Sequence, residues 1–384
     1  MPTALERLIR KETSLGLIRE QETREDFIGN TIAPMKDVDN DEVTFAYLED
    51  TGATGLAPAR ADDAESKLYQ RDDFRAGEGR ASVIDWALKD KYTASEVERY
   101  RQDLLDLEKT GGAGAGQRIG TLQSNTEKFQ SMLNRDALER RRRLDNRIEW
   151  LQVTPLVTGG LSYNDGDLKW DVDYGRPADQ TDQAPTSGLW DFETNPDFDV
   201  IGDLLKVAED HYDKYGIELK RGIISKKKIN QWYRSTKFRQ LGLFQAGLAN
   251  PAQTDIDLNY LGGAVTPQAA INYIQEQTGI TFETYDAAIR TRPVGQPKSA
   301  AQMVRFMPED RVILMPDSSG LAEFDNTEIG FASTLTSPHP EGNWASGFYE
   351  WEQETTDPWM FVRGTGIKAF PVFPYLQYTH TLKV

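Results

Sequence analysis

Between Thr121 and Thr154 the chain reads as one long, mostly charged helix, on the order of 50 Å at 1.5 Å per residue. Its apolar stripe is thin: Leu122, Phe129, Leu133, Ala137, Leu144, Ile148 and Leu151. Arg140, Arg141, Arg142 and Arg143 then follow one another directly. Successive helical side chains sit about 100° apart, so the quartet covers the whole circumference. A level charged all round is expected on a surface, met by carboxylates or by other subunits, and not in its own subunit's core. The helix is expected to act as a strut in an assembly.

At 384 residues the chain has room for a substantial core. Its composition, 38% hydrophobic and 27% charged, is that of a soluble protein on the polar side. No apolar run approaches the roughly 20 residues of a membrane span. The opening MPTALERLIRKETS shows no apolar stretch with a cleavage site, so no secretion signal is expected. Cysteine is absent, which excludes disulfides, thiolate zinc sites and cysteine nucleophiles together and fits a cytosolic history. A net charge of −17 argues against general affinity for nucleic acid. It suits a soluble protein, or one that lives beside packed DNA without sticking to it.

Residues 1–41 carry short apolar clusters between charges and read as an arm that borrows order from neighbours. In 42–92, Val43, Phe45 and Tyr47 alternate with Thr44, Ala46 and Leu48 as a strand. A Gly/Ala/Asp-rich tip (51–66) and a second extended piece (68–75) follow. Together they make a long hairpin loop with no core of its own. Thr93 and Glu96 have capping-box spacing for a helix to about Glu108. Pro155 and Gly159-Gly160 are expected to stop the long helix. Residues 161–174 read as a hairpin around Asn164-Asp165-Gly166-Asp167. Asn195-Pro196-Asp197 should then open a helix with the face Val200, Leu204, Ala208, His211 and Tyr215, ended by Gly216. Ser225 caps a further helix, and Thr266-Pro267 opens another that runs to Gly279. Strands are expected at Ile280–Phe282 and Arg311–Met315, and an alternating strand over Tyr375–Val384.

Catalytic and binding patterns are mostly missing. Gly111–Gly116 fits neither phosphate-binding glycine pattern and reads as a linker. His211, His339 and His380 are isolated in sequence, without metal-ligand spacing, and His211 reads as a packed histidine at a core edge. Asp165, Asp167, Asp171 and Asp173 fail the calcium-loop pattern; Asp171 and Asp173 should face solvent while Trp170, Val172 and Tyr174 face inward. Lys220, Arg221, Lys226, Lys227, Lys228, Arg234, Lys237 and Arg239, with Trp232, Tyr233 and Phe238, form a basic-aromatic concentration. Alone it suits single-stranded nucleic acid; in so acidic a chain the positive half of a subunit contact is favoured. No catalytic, cofactor-binding or metal residues are assigned. The candidate contacts between copies are Arg140, Arg141, Arg142, Arg143, Tyr47, Lys67, Tyr69, Phe74, Lys226, Lys227 and Lys228.

Three stretches, taken in order, carry a resemblance. Arg147-Ile148-Glu149-Trp150 runs into Leu156-Val157-Thr158-Gly159-Gly160. Val172-Asp173-Tyr174-Gly175-Arg176 is followed by Trp190 and Asn195-Pro196-Asp197. Phe306-Met307-Pro308-Glu309-Asp310-Arg311-Val312 precedes Asp357-Pro358, Phe370-Pro371 and Pro374. Over most of 40–384 the chain resembles major capsid proteins of tailed bacteriophages, of the lambda-type capsid E family. The resemblance implies an α+β chain with the tailed-phage capsid (Johnson) fold. Its parts would be an N-arm (1–41), an extended loop (42–92), a peripheral domain (93–195) with spine helix 121–154 and hairpin 161–174, an axial domain (196–345), and a C-terminal return (346–384).

It further implies a structural, non-enzymatic protein without cofactors, made in the host bacterial cytoplasm and resident in the virion. Copies would self-assemble as pentamers and hexamers into an icosahedral head around double-stranded DNA. Scaffolding, portal and possibly decoration proteins would be partners, and a membrane would not. No catalytic residue is carried over, and no crosslink is expected at Lys67. The competing readings are an encapsulin-like compartment and, in a different class, an acidic soluble hydrolase with unidentified carboxylates.

Overall fold

The computed structural model describes residues 11–48, 76–93, 116–164, 168–232, 234–238, 267–291, 301–316, 330–356 and 359–384. The expected loop tip, the helix running to Glu108 and the glycines 111–115 lie outside these residues.

The long helix spans Gly116–Thr158, 43 residues, and so begins earlier and ends later than the sequence suggests. Leu133, Ala137, Leu144, Ile148 and Leu151 of the expected stripe are buried; the side chains of Leu122 and Phe129 lie outside the described set. Pro155 falls inside the helix instead of ending it. A proline there removes one backbone donor, but the carbonyls beyond it are held. The Gly159 amide donates to Pro155 O at 2.8 Å. Arg176 donates through Nη1 to Leu156 O at 2.7 Å and through Nη2 to Val157 O at 2.9 Å. Gly159 has φ +81°, and a Cβ there would come within 3.2 Å of the Arg176 Nε. A glycine stop and an arginine fork therefore finish the helix together.

The helix packs on a five-stranded sheet organised by one strand, Trp359–Val372. Along one edge that strand pairs antiparallel with Ile84–Thr93. Along the other it pairs with Phe348–Thr356 and then, further on, with Ser333–Thr336. Residues 84–92, grouped with the extended loop from sequence, and Thr93, expected to open a helix, are thus one strand of this sheet, and Trp86 and Tyr92 are buried. The preceding strands Glu42–Leu48 and Ala76–Ser82 pair antiparallel as a separate ribbon. Gly160–Asn164 pairs with Lys169–Asp173 in the expected hairpin, and Asp171 and Asp173 are exposed.

A second sheet has the order 380–383, 311–316, 219–224, 281–284, the last pair parallel. Helices Val200–Tyr215, Lys226–Trp232 and Pro267–Thr278 cover it around Trp190, Phe198, Leu204, Trp232, Ile274 and Leu314. The first of these starts at Val200, capped by Asp199, whose Oδ1 accepts from the Gly202 amide at 3.0 Å. Asn195 is no cap: its amide donates to Ser187 O at 2.8 Å. Buried Asp203 explains the difference, since it gathers the Ser187 amide, the Ser187 hydroxyl and the Trp190 indole N–H and folds that segment into turns. Gly216, at φ +68°, ends the helix as expected. The expected strand from Tyr375 shortens to His380–Lys383, because Leu376–Tyr378 form a 3-10 turn with Tyr375 and Tyr378 buried.

The N-terminal segment corrects an expectation. Residues from Lys11 on do not wait for a neighbouring copy but are seated on their own chain. Helix Lys11–Glu20 inserts Ile18 among Leu144, Ile148 and Phe348. Met35–Asp37 then adds in parallel to Thr334–Thr336.

Candidate functional site: the arginines of the long helix

The arginine quartet divides into an inner and an outer pair. Arg140 is 3% exposed. Its Nη1 meets Asp90 at 2.7 Å, its Nη2 meets Glu350 at 3.2 Å, and its Nε donates to Thr365 Oγ1 at 2.9 Å. Sheet register supplies this arrangement. Thr365 lies opposite Glu350, while Asp90 and Glu352 lie on either side of Arg363, two residues along the same strand. Side chains of alternate residues share a face, so three acids, a threonine and Arg363 line the face toward the helix. Glu350, fully buried, also accepts from the Ser14 hydroxyl at 3.0 Å and lies 3.5 Å from Arg363 Nε. Burial pushes its carboxyl above the usual range, against the opposing pull of Arg363, Ser14 and Arg140.

Arg141 is buried as well. It pairs with Asp145 at 2.8 Å, one turn on, and its guanidinium lies 3.4 Å from the Phe348 ring centroid. Burial raises the Asp145 carboxyl despite Arg141. Arg142 and Arg143 are exposed, and Arg143 pairs with Glu139 at 2.8 Å. The expectation that this level of the helix stays out of its own core is therefore corrected for Arg140 and Arg141. Their charge is met inside the protomer, because the facing sheet carries the carboxylates.

One turn further on, Arg147 stands about 5 Å from each of the rings of Trp86, Trp150 and Tyr163, tying helix, sheet and hairpin together. Glu149, also buried, is a junction. Its carboxylate accepts from the amides of Ile28 and Gly29 and from the Tyr285 hydroxyl. A Cβ on Gly29 would lie 2.3 Å from Gln152 Oε1, so only glycine lets the N-terminal segment approach this closely. Burial raises the Glu149 carboxyl, with those three donors opposing the shift.

The basic-aromatic stretch reads differently in three dimensions. Lys220 pairs with Glu218, Arg221 with Glu283, Lys227 with Glu309 and Lys237 with Asp199. Lys228 is buried, its Nζ donating to Trp190 O at 3.3 Å, and burial lowers its pKa. Trp232 and Phe238 belong to the core, which leaves neither as a stacking platform for bases. Lys228 is accordingly withdrawn from the candidate contacts, while Lys226 and Lys227 stay on the surface. Tyr47 lies on a described strand; Lys67, Tyr69, Phe74, Tyr233 and Arg239 lie outside the described residues.

Two histidines far apart in sequence meet in the fold. His211 Nδ1 and His380 Nε2 share a hydrogen bond of 2.9 Å. Burial, and then the neighbouring His380, push His211 down to about 3, and burial pushes His380 down to about 4. The helical face placed His211 inward from sequence; its partner, on the last described strand, had no sequence signal. Among the described residues no group of three or more His, Cys, Asp or Glu side chains is placed to hold a metal ion, and no helix is long and apolar enough to cross a membrane.

Residues 15–325 match the family model described as phage major capsid protein E. No curated protein matches the sequence. Among solved structures, the putative capsid protein of a prophage of E. coli CFT073 is 13% identical, with TM-score 0.53, covering 98% of this chain and 99% of that one. That likeness bears on the fold. A phage-related protein of Bordetella bronchiseptica RB50 is 12% identical, with TM-score 0.49, over 97% and 96% of the two chains.

Proposed function

This chain belongs to the phage major capsid protein E family and is a structural protein of the phage head, and we propose how its parts build that shell. Copies gather as pentamers and hexamers, and the closed shell encloses double-stranded DNA held non-specifically on its inner face. Residues 1–41 serve as the N-terminal arm and 42–83 as the extended loop, with 84–92 joining the sheet of the peripheral domain. Residues 93–195, with the return of 346–384, form the peripheral domain, and 196–345 form the axial domain around the shell axes. The packing of the long helix on the sheet built around 359–372, and of three helices on strands 219–224, 281–284 and 311–316, supports the bulk of this division. Strand 333–336 joins the first sheet and strand 380–383 the second, so each domain lends the other one strand. Scaffolding, portal and decoration proteins are the expected further partners.

Contacts between copies fall to the exposed side chains of Arg142, Arg143, Lys226 and Lys227; Tyr47, Lys67, Tyr69 and Phe74 of the loop are proposed beside them from the sequence. Arg140 and Arg141 act one step earlier, by fixing the helix to the sheet that presents those surfaces. The observation that carries this reading is the family match over residues 15–325; it favours a phage head over an encapsulin-like compartment. Negative-stain microscopy of the purified chain tests it. Uniform shells, rings or capsomers are expected, and a strictly monomeric species at high concentration would overturn it.

A further inference from the structure

We propose that the turn His339–Trp344 is a contact point between copies of this chain, with the Trp344 indole as its anchor. The proposal rests on the shell reading above and assigns that shell one specific residue. Trp344 is 72% exposed, whereas the other tryptophans with described side chains are buried or half-buried. A tryptophan left in water forgoes one of the largest apolar areas a side chain can bury, and such residues concentrate at the centres of interfaces.

The turn holds that side chain out by construction. Asn343 and Trp344 have φ of +57° and +58°, the left-handed region that bulky side chains avoid. Backbone bonds fix the conformation: the amides of Gly342 and Trp344 both donate to His339 O, and the Asn343 amide donates to Pro340 O. Below the turn the His339 ring stacks on Tyr349 at 3.9 Å and 7°. Tyr349 in turn donates its hydroxyl to Asp85 on the sheet. A strained conformation this well braced, ending in an exposed indole, gains nothing for the protomer alone. It gains where the indole is covered.

The occupant is a second copy of this chain, because a shell repeats one surface against itself many times. The folded protomer also exposes apolar side chains on other elements on which an indole can pack. Leu205 and Tyr212 lie two turns apart on one helix, and Met303 and Val304 stand on opposite faces of a two-stranded ribbon. A tryptophan meeting such a different surface makes a head-to-tail contact, the kind that closes into rings.

The test uses the full chain and the variants Trp344→Ala and Trp344→Gly, the second accepting the left-handed backbone without strain. Folding is read by near-UV circular dichroism and thermal melting, and assembly by sedimentation and negative-stain microscopy. Both variants are expected to fold, the glycine variant melting no lower than the alanine variant, while the assembled fraction drops at least tenfold. Wild-type yields of shells from both variants would overturn the proposal and leave the shell reading intact. If both variants fail to fold, the indole serves the protomer and the proposal is overturned as well. If the unaltered chain itself forms no assembly, the shell reading fails and this contact with it.

Discussion

Tyr285 donates its hydroxyl to Glu149 at 2.7 Å, joining the segment that follows strand 281–284 of the second sheet to the long helix beneath the first. The same carboxylate holds the Ile28 and Gly29 amides. One side chain therefore fastens three parts of the chain. Glu149→Ala strands two amides and a phenol, with an expected loss of about 2–4 kcal/mol. Tyr285→Phe removes one bond and should cost about 1–2 kcal/mol. Urea unfolding of both variants checks the order; a Tyr285→Phe loss as large as that of Glu149→Ala would contradict the junction.

Arg140 and Glu350 form the buried centre of the helix-sheet contact. Removing one partner leaves a buried charge, so Arg140→Met should lose roughly 3–5 kcal/mol. The double variant Arg140→Met/Glu350→Leu should recover only part of that loss, because Glu350 also faces buried Arg363 and accepts from Ser14. By contrast, Arg142→Gln with Arg143→Gln should change protomer stability by no more than about 0.5 kcal/mol. If those two changes nevertheless reduce shell yield, the outer arginines act between copies. A destabilisation equal to that of Arg140→Met would refute the division into inner and outer pairs.

Arg176 caps the long helix from outside it, through carbonyls of Leu156 and Val157. Lysine cannot supply two donors in a fixed fork, so Arg176→Lys should destabilise nearly as much as Arg176→Met, by about 1–3 kcal/mol. Gly159→Ala should lose about 1–2 kcal/mol through its left-handed backbone alone. Thermal melts of the three variants decide the matter, and a neutral Arg176→Lys would dismiss the fork.

The His211–His380 pair predicts an acid-sensitive fold. Its folded pKa values, about 3 and about 4, lie below the ordinary 6.5. The unfolded chain therefore binds more protons between those values, and stability falls as pH drops from 6.5 towards 4. Each histidine contributes up to about 1.4 kcal/mol per pH unit in that window. Asp145, Glu149 and Glu350 act oppositely: their raised pKa values mean stability present at low pH and lost as pH rises through them. Comparing His380→Gln with the unaltered chain from pH 7 to 4.5 isolates the pair. The variant's urea midpoint should decline less steeply, and parallel curves would remove the pair from the account.

The long helix, the hairpin after it and the helical face ending at Gly216 were legible because each is set by local periodicity and a nearby stop signal. The family resemblance likewise rested on short motifs in order. What sequence could not give was the second half of each long-range pair. Glu350, Thr365 and Asp90 sit on three strands that meet only in the folded sheet, so Arg140 looked like a surface charge. Pro155 looked like a stop because Arg176, which holds the carbonyls beyond it, lies some way along the chain. His211 was placed on a core face, yet nothing local announced His380. The basic stretch from Lys220 misled for the same reason, its neutralising carboxylates being scattered from Asp199 to Glu309.

The strand Trp359–Val372 bears on how this protein is made. It pairs with three other strands, and all three precede it in the chain. During synthesis those partners emerge with their shared edge missing and must wait for the last of the group to leave the ribosome. Pairing across such long separations is slow, since loop closure comes before any gain. A nascent chain halted before Trp359 thus has no sheet for its long helix to lie on. Only translation carried past that point yields a subunit fit to enter a lattice, which makes this strand a checkpoint against incomplete subunits.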